Sequence, residues 1–238
     1  MRISRFEFLK KRMILDRLEI INEEFQAENV EPGTYDILLA DAWRHFGTHF
    51  FKYNVGVYEN EIRRVLPLRI RLANFTLSKS QRRVRRKNAD LETSIVPIAI
   101  TAETHDLFGR HKRRFKSGIP DSIYDFLSCD PARAPTCGFQ ITAHLNGKLL
   151  AASFFDAGET SVSAIYGCFD PDETSRSLGI FTMLKVIEHA QGCGKSFYYH
   201  GYAYEGESYY DYKKRFSALE QYDWNGDWSG EHPCSPVI

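Results

Sequence analysis

The stretch that most constrains this 238-residue chain runs from Cys137 to Tyr204. Two apolar runs, CGFQITAHL and KLLAASFFD, flank Asn146-Gly147. That dipeptide accepts the positive φ angles of a type I′ turn, so the segment predicts a β-hairpin. Ala157-Gly158-Glu159-Thr160 turns the chain again into SVSAIYGCF, which makes a three-stranded antiparallel meander. The loop DPDETSRS then leads into LGIFTMLKVIEHAQ, an amphipathic helix ended by Gly192 and Gly194. KSFYYHGYA reads as a further strand, and SYYDYKKRF as a short helix or turn.

Strand, strand, strand, loop, helix, strand is the core order of the acetyltransferase-like (GNAT) fold. The expected class is therefore α/β (α+β): a mixed sheet with flanking helices over residues 61–238, preceded by a smaller helical and mixed N-terminal region, residues 1–60. An amphipathic helix is expected over residues 4–26, with Ile14, Leu18, Ile21 and Phe25 on one face, and a second over TYDILLADAWRHF. Leu66, Leu68, Ile70 and Leu72 alternate with other residues at strand period, and ETSIVPIAI reads as a strand ending near Pro97. AETHDLF should be helical, and DPARAP is the best internal boundary by its prolines.

A net charge of zero hides an asymmetry. Residues 61–116 hold 15 basic and 5 acidic side chains, an excess of +10, against −2 before and −8 after. This pattern fits a polyanionic partner such as RNA, or equally a solvated basic face balanced by the chain's own acidic half. Five cysteines with no C-x-x-C spacing argue against a disulfide framework or a zinc ribbon. His105 and His111 lack the spacing of a helical zinc pair. No metal and no cofactor is expected. No apolar run reaches membrane-spanning length and the N-terminus does not read as a signal peptide, so a cytoplasmic location is expected.

Three constellations carry chemistry. Arg176-Ser177-Leu178-Gly179 stands where the strand–loop–helix turn begins its helix, and unpaired N–H groups there suit an anion. From Lys79 to Lys87 six of nine residues are basic, and Arg82, Arg83 and Arg86 share one side of a helix capped by Ser78 or Ser80. Tyr198, Tyr199, Tyr202, Tyr204, Tyr209, Tyr210 and Tyr212 crowd the last strand and its exit, beside Lys213, Lys214 and Arg215. Rings with cations suit a pocket for an unpaired base, and equally a half-buried edge strand.

In these blocks the chain resembles the N-end-rule aminoacyl-tRNA–protein transferases, the arginyl and leucyl transferases. Tyr35-Asp36-Ile37-Leu38-Leu39, Trp43-Arg44-His45-Phe46-Gly47, Pro67-Leu68-Arg69-Ile70 and the run Ser78 to Asn88 are similar to its motifs. So are Ser163 to Tyr166, Phe169-Asp170-Pro171, Arg176 to Gly179, Gly201-Tyr202 and Tyr212 to Phe216, in the same order over about residues 35–228. The family's N-terminal cysteine cluster has no counterpart, since FKYNVGVYENEIRRV contains no cysteine. The resemblance implies transfer of arginine or leucine from aminoacyl-tRNA to the N-terminal amine of a protein beginning with Asp or Glu, with no membrane partner. On that reading Arg176, Ser177 and Gly179 bind the 3′-terminal nucleotide. Tyr166 and Tyr202 line the pocket, and Asp170 is a base or orienting group. Arg82, Arg83, Arg86, Asn88 and Lys213 contact RNA phosphate or the acceptor's acidic residue. A conventional acyl-CoA N-acyltransferase, a diverged enzyme aminoacylating a small molecule or dedicated peptide, and a non-catalytic RNA-binding module are the alternatives.

Overall fold

A computed structural model describes residues 19–116 and 118–230. Two sheets organise them. The small one has three strands, β1 (Asn22–Gln26), β3 (His49–Tyr53) and β2 (Arg44–Phe46), in the order β1-β3-β2. The large one follows β12-β11-β5-β10-β9-β8-β7-β6, with β4 (Val55–Tyr58) attached to β5 (Glu61–Arg71). Its other strands are β6 (Glu92–Pro97), β7 (Gly138–Leu145), β8 (Lys148–Ala157), β9 (Ser161–Phe169), β10 (Phe197–Tyr204), β11 (Leu219–Tyr222) and β12 (Trp228–Gly230).

The meander is present as the turn chemistry requires. Asn146 and Gly147 both have positive φ (50° and 79°), the sign a type I′ turn demands. The helices are α1 (Pro32–Ala40), α2 (Lys79–Lys87), α3 (Ala102–Lys112) and α4 (Leu178–Gly192). Helix α4 follows the meander and delivers the chain to β10, which runs parallel to β9. This is the expected acetyltransferase-like order. Leu184 and Ile187 of α4 bury against Ile141, Phe155 and Val162 on one face of the sheet, while Leu107 and Phe108 of α3 cover Leu149, Phe154 and Cys168 on the other. Each such large apolar side chain contributes about 1.5–3 kcal/mol when taken out of water. Among the described residues no helix is long and apolar enough to cross a membrane.

The N-terminal expectations need correction. Residues 4–18 of the proposed 4–26 helix lie outside the described residues, but Asn22–Gln26 form β1, paired with β3. Tertiary packing overrides helical period here: Phe25 stacks on Phe50 and meets Trp43 edge-on. Helix α1 stops at Ala40, and Arg44–Phe46 turn into a strand because β3 offers them a pairing edge. The small sheet and α1 close over the large sheet through Tyr35, Leu39, Phe50 and Tyr199.

Strands β9 and β10 pair only from Ser161–Ser163 to Phe197–Tyr199. Beyond that point their parallel ladder ends. A bulge in β10 between Tyr199 and Gly201, where it meets β5, marks the place. Gly201 sits there at φ +90°, a backbone conformation closed to most side chains.

Candidate active site

The basic segment folds as α2 because its ends are well satisfied. The Gln81 amide donates to Ser78 Oγ (3.2 Å) and the Ser78 amide donates to Gln81 Oε1 (2.9 Å), a reciprocal capping box. Its last residues meet the turn that starts α4. Lys87 Nζ donates to the Ser175 carbonyl (2.6 Å), and Asn88 Nδ2 donates to the carbonyls of Val84 (2.9 Å) and Arg176 (2.8 Å). The two cationic segments singled out in the sequence are thus stitched together, although 88 positions separate Asn88 from Arg176.

Within that junction the roles divide. Arg176 forks onto Asp90 with both contacts at 2.9 Å, and its Nε donates to Glu173 (3.1 Å). Its side chain is 16% exposed. Arg176 therefore helps to hold the junction through these contacts. Asn88 is buried and serves as a clamp, although its Oδ1 has no partner among the described residues. By contrast Arg82, Arg83 and Arg86 are exposed, and none pairs with a carboxylate among the described residues. Arg82 donates to the Leu77 carbonyl (2.5 Å), which leaves the rest of its fork outward. Ser177 adopts a left-handed conformation (φ 52°) and makes no side-chain cap. The first helical bond of α4 runs from Phe181 N–H to the Ser177 carbonyl (3.0 Å), so the amides ahead of it have no helical acceptor. An added Cβ at Gly179 would lie 3.2 Å from the Phe169 ring, which would have to give way by a few tenths of an ångström.

The second half of the site is the opening between β9 and β10. Arg44 of β2 reaches into it and donates to Ser163 Oγ and to the Ala164 carbonyl. Lys213 enters from the 3₁₀ helix Tyr209–Arg215 and donates to the Tyr202 carbonyl (2.8 Å). Burial first, then the neighbouring Arg44 charge, bring the Lys213 ammonium down from its ordinary 10.5 to about 7. His200, the bulge residue, is buried and donates through Nε2 to the Lys213 carbonyl (3.0 Å). Burial, then the Lys213 charge, push it down to about 3, so the ring is neutral and its Nδ1 is left without a partner. A shallow recess of about 10 Å³, room for roughly one water molecule, adjoins Gly201, walled by Leu39, Ala42, Pro67, Leu68 and Trp228.

Aromatic rings line one side. Tyr166 stacks on Phe126 (4.0 Å, 10°), Phe126 meets Phe46, Phe46 meets Phe51, and Phe51 meets Tyr202. The two tyrosines expected to line a pocket therefore belong to one wall. Neither is an acid–base group near neutrality, because burial drives both phenols well above their usual range. Tyr202 Oη donates to the Ala42 carbonyl (2.6 Å), and Tyr166 Oη is buried without a hydrogen-bond partner among the described residues.

Asp170 is fully buried at the end of β9. Burial alone would raise its pKa, but Lys148 (2.9 Å), the Asp172 amide and Arg110 together hold it below the usual carboxylate range. A carboxylate so committed is an anchor at the end of β9, which favours the orienting role over that of a base. Arg44, Ser163, His200 and Gly201 were missed as site residues. Arg44, Ser163 and Gly201 do lie in blocks similar to the family's motifs, and a glycine inside a strand pattern marks a bulge or a close approach.

The sheet has the acetyltransferase-like strand order, with an opening between β9 and β10 and an exposed cationic helix at its side. Residues 103–223 match the model of the family described as arginine-tRNA-protein transferase, C terminus. An aspartate/glutamate leucyltransferase from Xanthomonas oryzae pv. oryzae (strain KACC10331 / KXO85) is 36% identical over 177 residues, 71% of this chain and 68% of that one. Another from Marinobacter nauticus is 30% identical over 195 residues, 81% and 80% of the two chains. Among solved structures, FemX is similar with a TM-score of 0.48 at 11% identity, over 88% of this chain and 71% of that one. The chain belongs to the aminoacyl-tRNA–protein transferase family.

Proposed function

We propose that this chain transfers leucine from charged tRNA to the N-terminal α-amine of proteins beginning with Asp or Glu, the step that marks such proteins in the N-end rule. Family membership supports the reaction class, and the relatives' names point to the donor and acceptor. The observation that carries the reading is the junction of α2 with the α4 turn beside the β9–β10 opening. Arg82, Arg83 and Arg86 would take RNA phosphates, and the α4 turn at Ser177 and Gly179 would receive the 3′ end. Tyr166 and Tyr202 stiffen the wall, while the small sheet beside the opening supplies Arg44. No carboxylate stands among the residues that line the recess beside Gly201, and Arg44 does, so nothing there would pair with an arginyl side chain.

The chemistry demands little. The ester of a charged tRNA is already activated, and an α-amine with a pKa of about 7.7–8.0 is partly neutral at cellular pH. Its nitrogen attacks the ester carbon, an N–C bond forms, the C–O bond to the ribose breaks, and the amine's surplus proton leaves with the departing hydroxyl. Holding the two partners in register supplies most of what is needed. The test incubates the purified chain with a panel of aminoacyl-tRNAs and an Asp-initiated peptide, with acetyl-CoA as the rival donor. Transfer from leucyl-tRNA is expected. No transfer from any charged tRNA, or acyl transfer from acetyl-CoA alone, would reject the reading.

A further inference from the structure

Gly201 marks a point on which three nitrogen donors converge. A methyl group placed there would lie 3.2 Å from Lys213 Nζ, 3.8 Å from Arg44 Nη2 and 4.0 Å from Arg44 Nε. The two cations come from different elements, β2 and the 3₁₀ helix Tyr209–Arg215. Neither has a carboxylate within 4.0 Å among the described residues. Other buried cations do: Lys52 meets Asp41 (2.9 Å), and Arg69 meets Glu220 (2.6 Å). Lys213 uses one of its three N–H donors, on Tyr202. Two like charges brought together out of water without a counter-charge are unfavourable in the free protein, and an anion arriving between them relieves the penalty.

We propose that Arg44 and Lys213 form the recognition site for the side-chain carboxylate of the acceptor's first residue. This rests on the acceptor class above and assigns the residues that read it. A carboxylate fits better than an RNA phosphate. Arg44 is pinned on β9 through Nη1 and Nη2, which leaves the Nε edge for a fork contact with a planar anion. The contacts of both cations with Ser163, Ala164 and Tyr202 are part-buried, so a short carboxylate stem reaches them more readily than a phosphodiester flanked by two nucleosides.

Binding should then be linked to proton uptake. In the free protein near pH 8, Lys213 is mostly neutral, since burial and Arg44 hold it near 7. The carboxylate restores the ammonium. The other titratable groups around it stay silent between pH 6 and 9: Tyr53 of β3, Tyr202 of β10 and Tyr210 beside it are raised, and His200 of β10 is lowered. Arg44 of β2 stays charged, as every arginine does.

The experiment is calorimetric titration of the full chain, without tRNA, with an Asp-initiated peptide and its Asn-initiated isostere, at pH 8 in two buffers of different ionisation enthalpy. The Asp peptide should bind at least tenfold tighter, taking up about 0.9 proton more than the Asn peptide. The Asn peptide subtracts the titration of the α-amine. Lys213→Met should abolish the preference and the uptake, while Lys213→Arg should keep the preference and lose the uptake. Arg44→Gln, checked for folding by circular dichroism, should also lose the preference. Equal binding of the two peptides, or a preference that survives Lys213→Met, overturns the proposal. So does a loss of tRNA affinity in Lys213→Met with peptide choice intact, which would make the site one for phosphate. Selective Asp binding without transfer from any charged tRNA would sink the proposed activity and leave this site standing. Transfer whose choice of first residue ignores Lys213→Met would do the reverse.

Discussion

Replacing Lys213 by Met should make the folded protein more stable while disabling it. The side chain is held at about 7 in the folded state against an ordinary 10.5. At about 1.36 kcal/mol per decade, that depression corresponds to about 5 kcal/mol of unfavourable burial at its limit. The sign follows from proton binding: between pH 7 and 10.5 the unfolded chain holds this proton and the folded one does not, so stability rises with pH across that window. At pH 8 the cost is about 3 kcal/mol. Met also loses the bond to the Tyr202 carbonyl, a loss of about 1 kcal/mol. The net gain expected at pH 8 is about 2 kcal/mol, or roughly 4–8 °C in Tm for a chain of this size. Urea unfolding of both proteins at pH 8 and pH 10.5 measures it. The gap should vanish or reverse at pH 10.5, where the lysine is neutral in half of the unfolded chains. A Met variant less stable at pH 8, or a gap independent of pH, would refute the reasoning.

Two further outcomes follow from particular contacts. Asp90→Asn and Arg176→Gln each break the forked pair at the α2–α4 junction, and a double-mutant cycle should show coupling, read as a rise in KM for charged tRNA that is no larger in the double variant than in either single one. Gly201→Ala places a β-carbon 3.2 Å from Lys213 Nζ at a φ of +90°. It should lower stability by about 1–2 kcal/mol and weaken Asp-initiated peptides more than Asn-initiated ones, by denaturation and binding titration.

The parts of the fold legible in the sequence were those set by local chemistry. The Asn146-Gly147 turn fixed the meander, Ser78 and Gln81 fixed the start of α2, and Gly194, at φ 69°, follows the end of α4 as a helix stop should. Strand β1 was not legible, because NEEFQ has only Phe25 as an apolar contact and its pairing edge lies some 25 residues ahead, where Phe25 registers with Phe50. The site divided the same way. The basic helix and the Ser177–Gly179 turn were visible as motifs, yet the junction contact of Arg176 depends on Asp90, 86 positions away. The anchoring of Asp170 depends on Arg110 and Lys148, and the meeting of Arg44 with Lys213 on a bulge at Gly201. Such pairings are products of topology, and spacing along the chain does not announce them.

The division of labour between helix and cleft is tested most directly by steady-state transfer kinetics of Arg83→Ala/Arg86→Ala with leucyl-tRNA and an Asp-initiated peptide. These two side chains are exposed and make no ion pair among the described residues, so the fold should be untouched. KM for the charged tRNA should rise about tenfold or more at physiological salt, with a shallower salt dependence and kcat within about twofold of the parent. An unchanged KM, or a collapse of kcat at unchanged KM, would contradict the account.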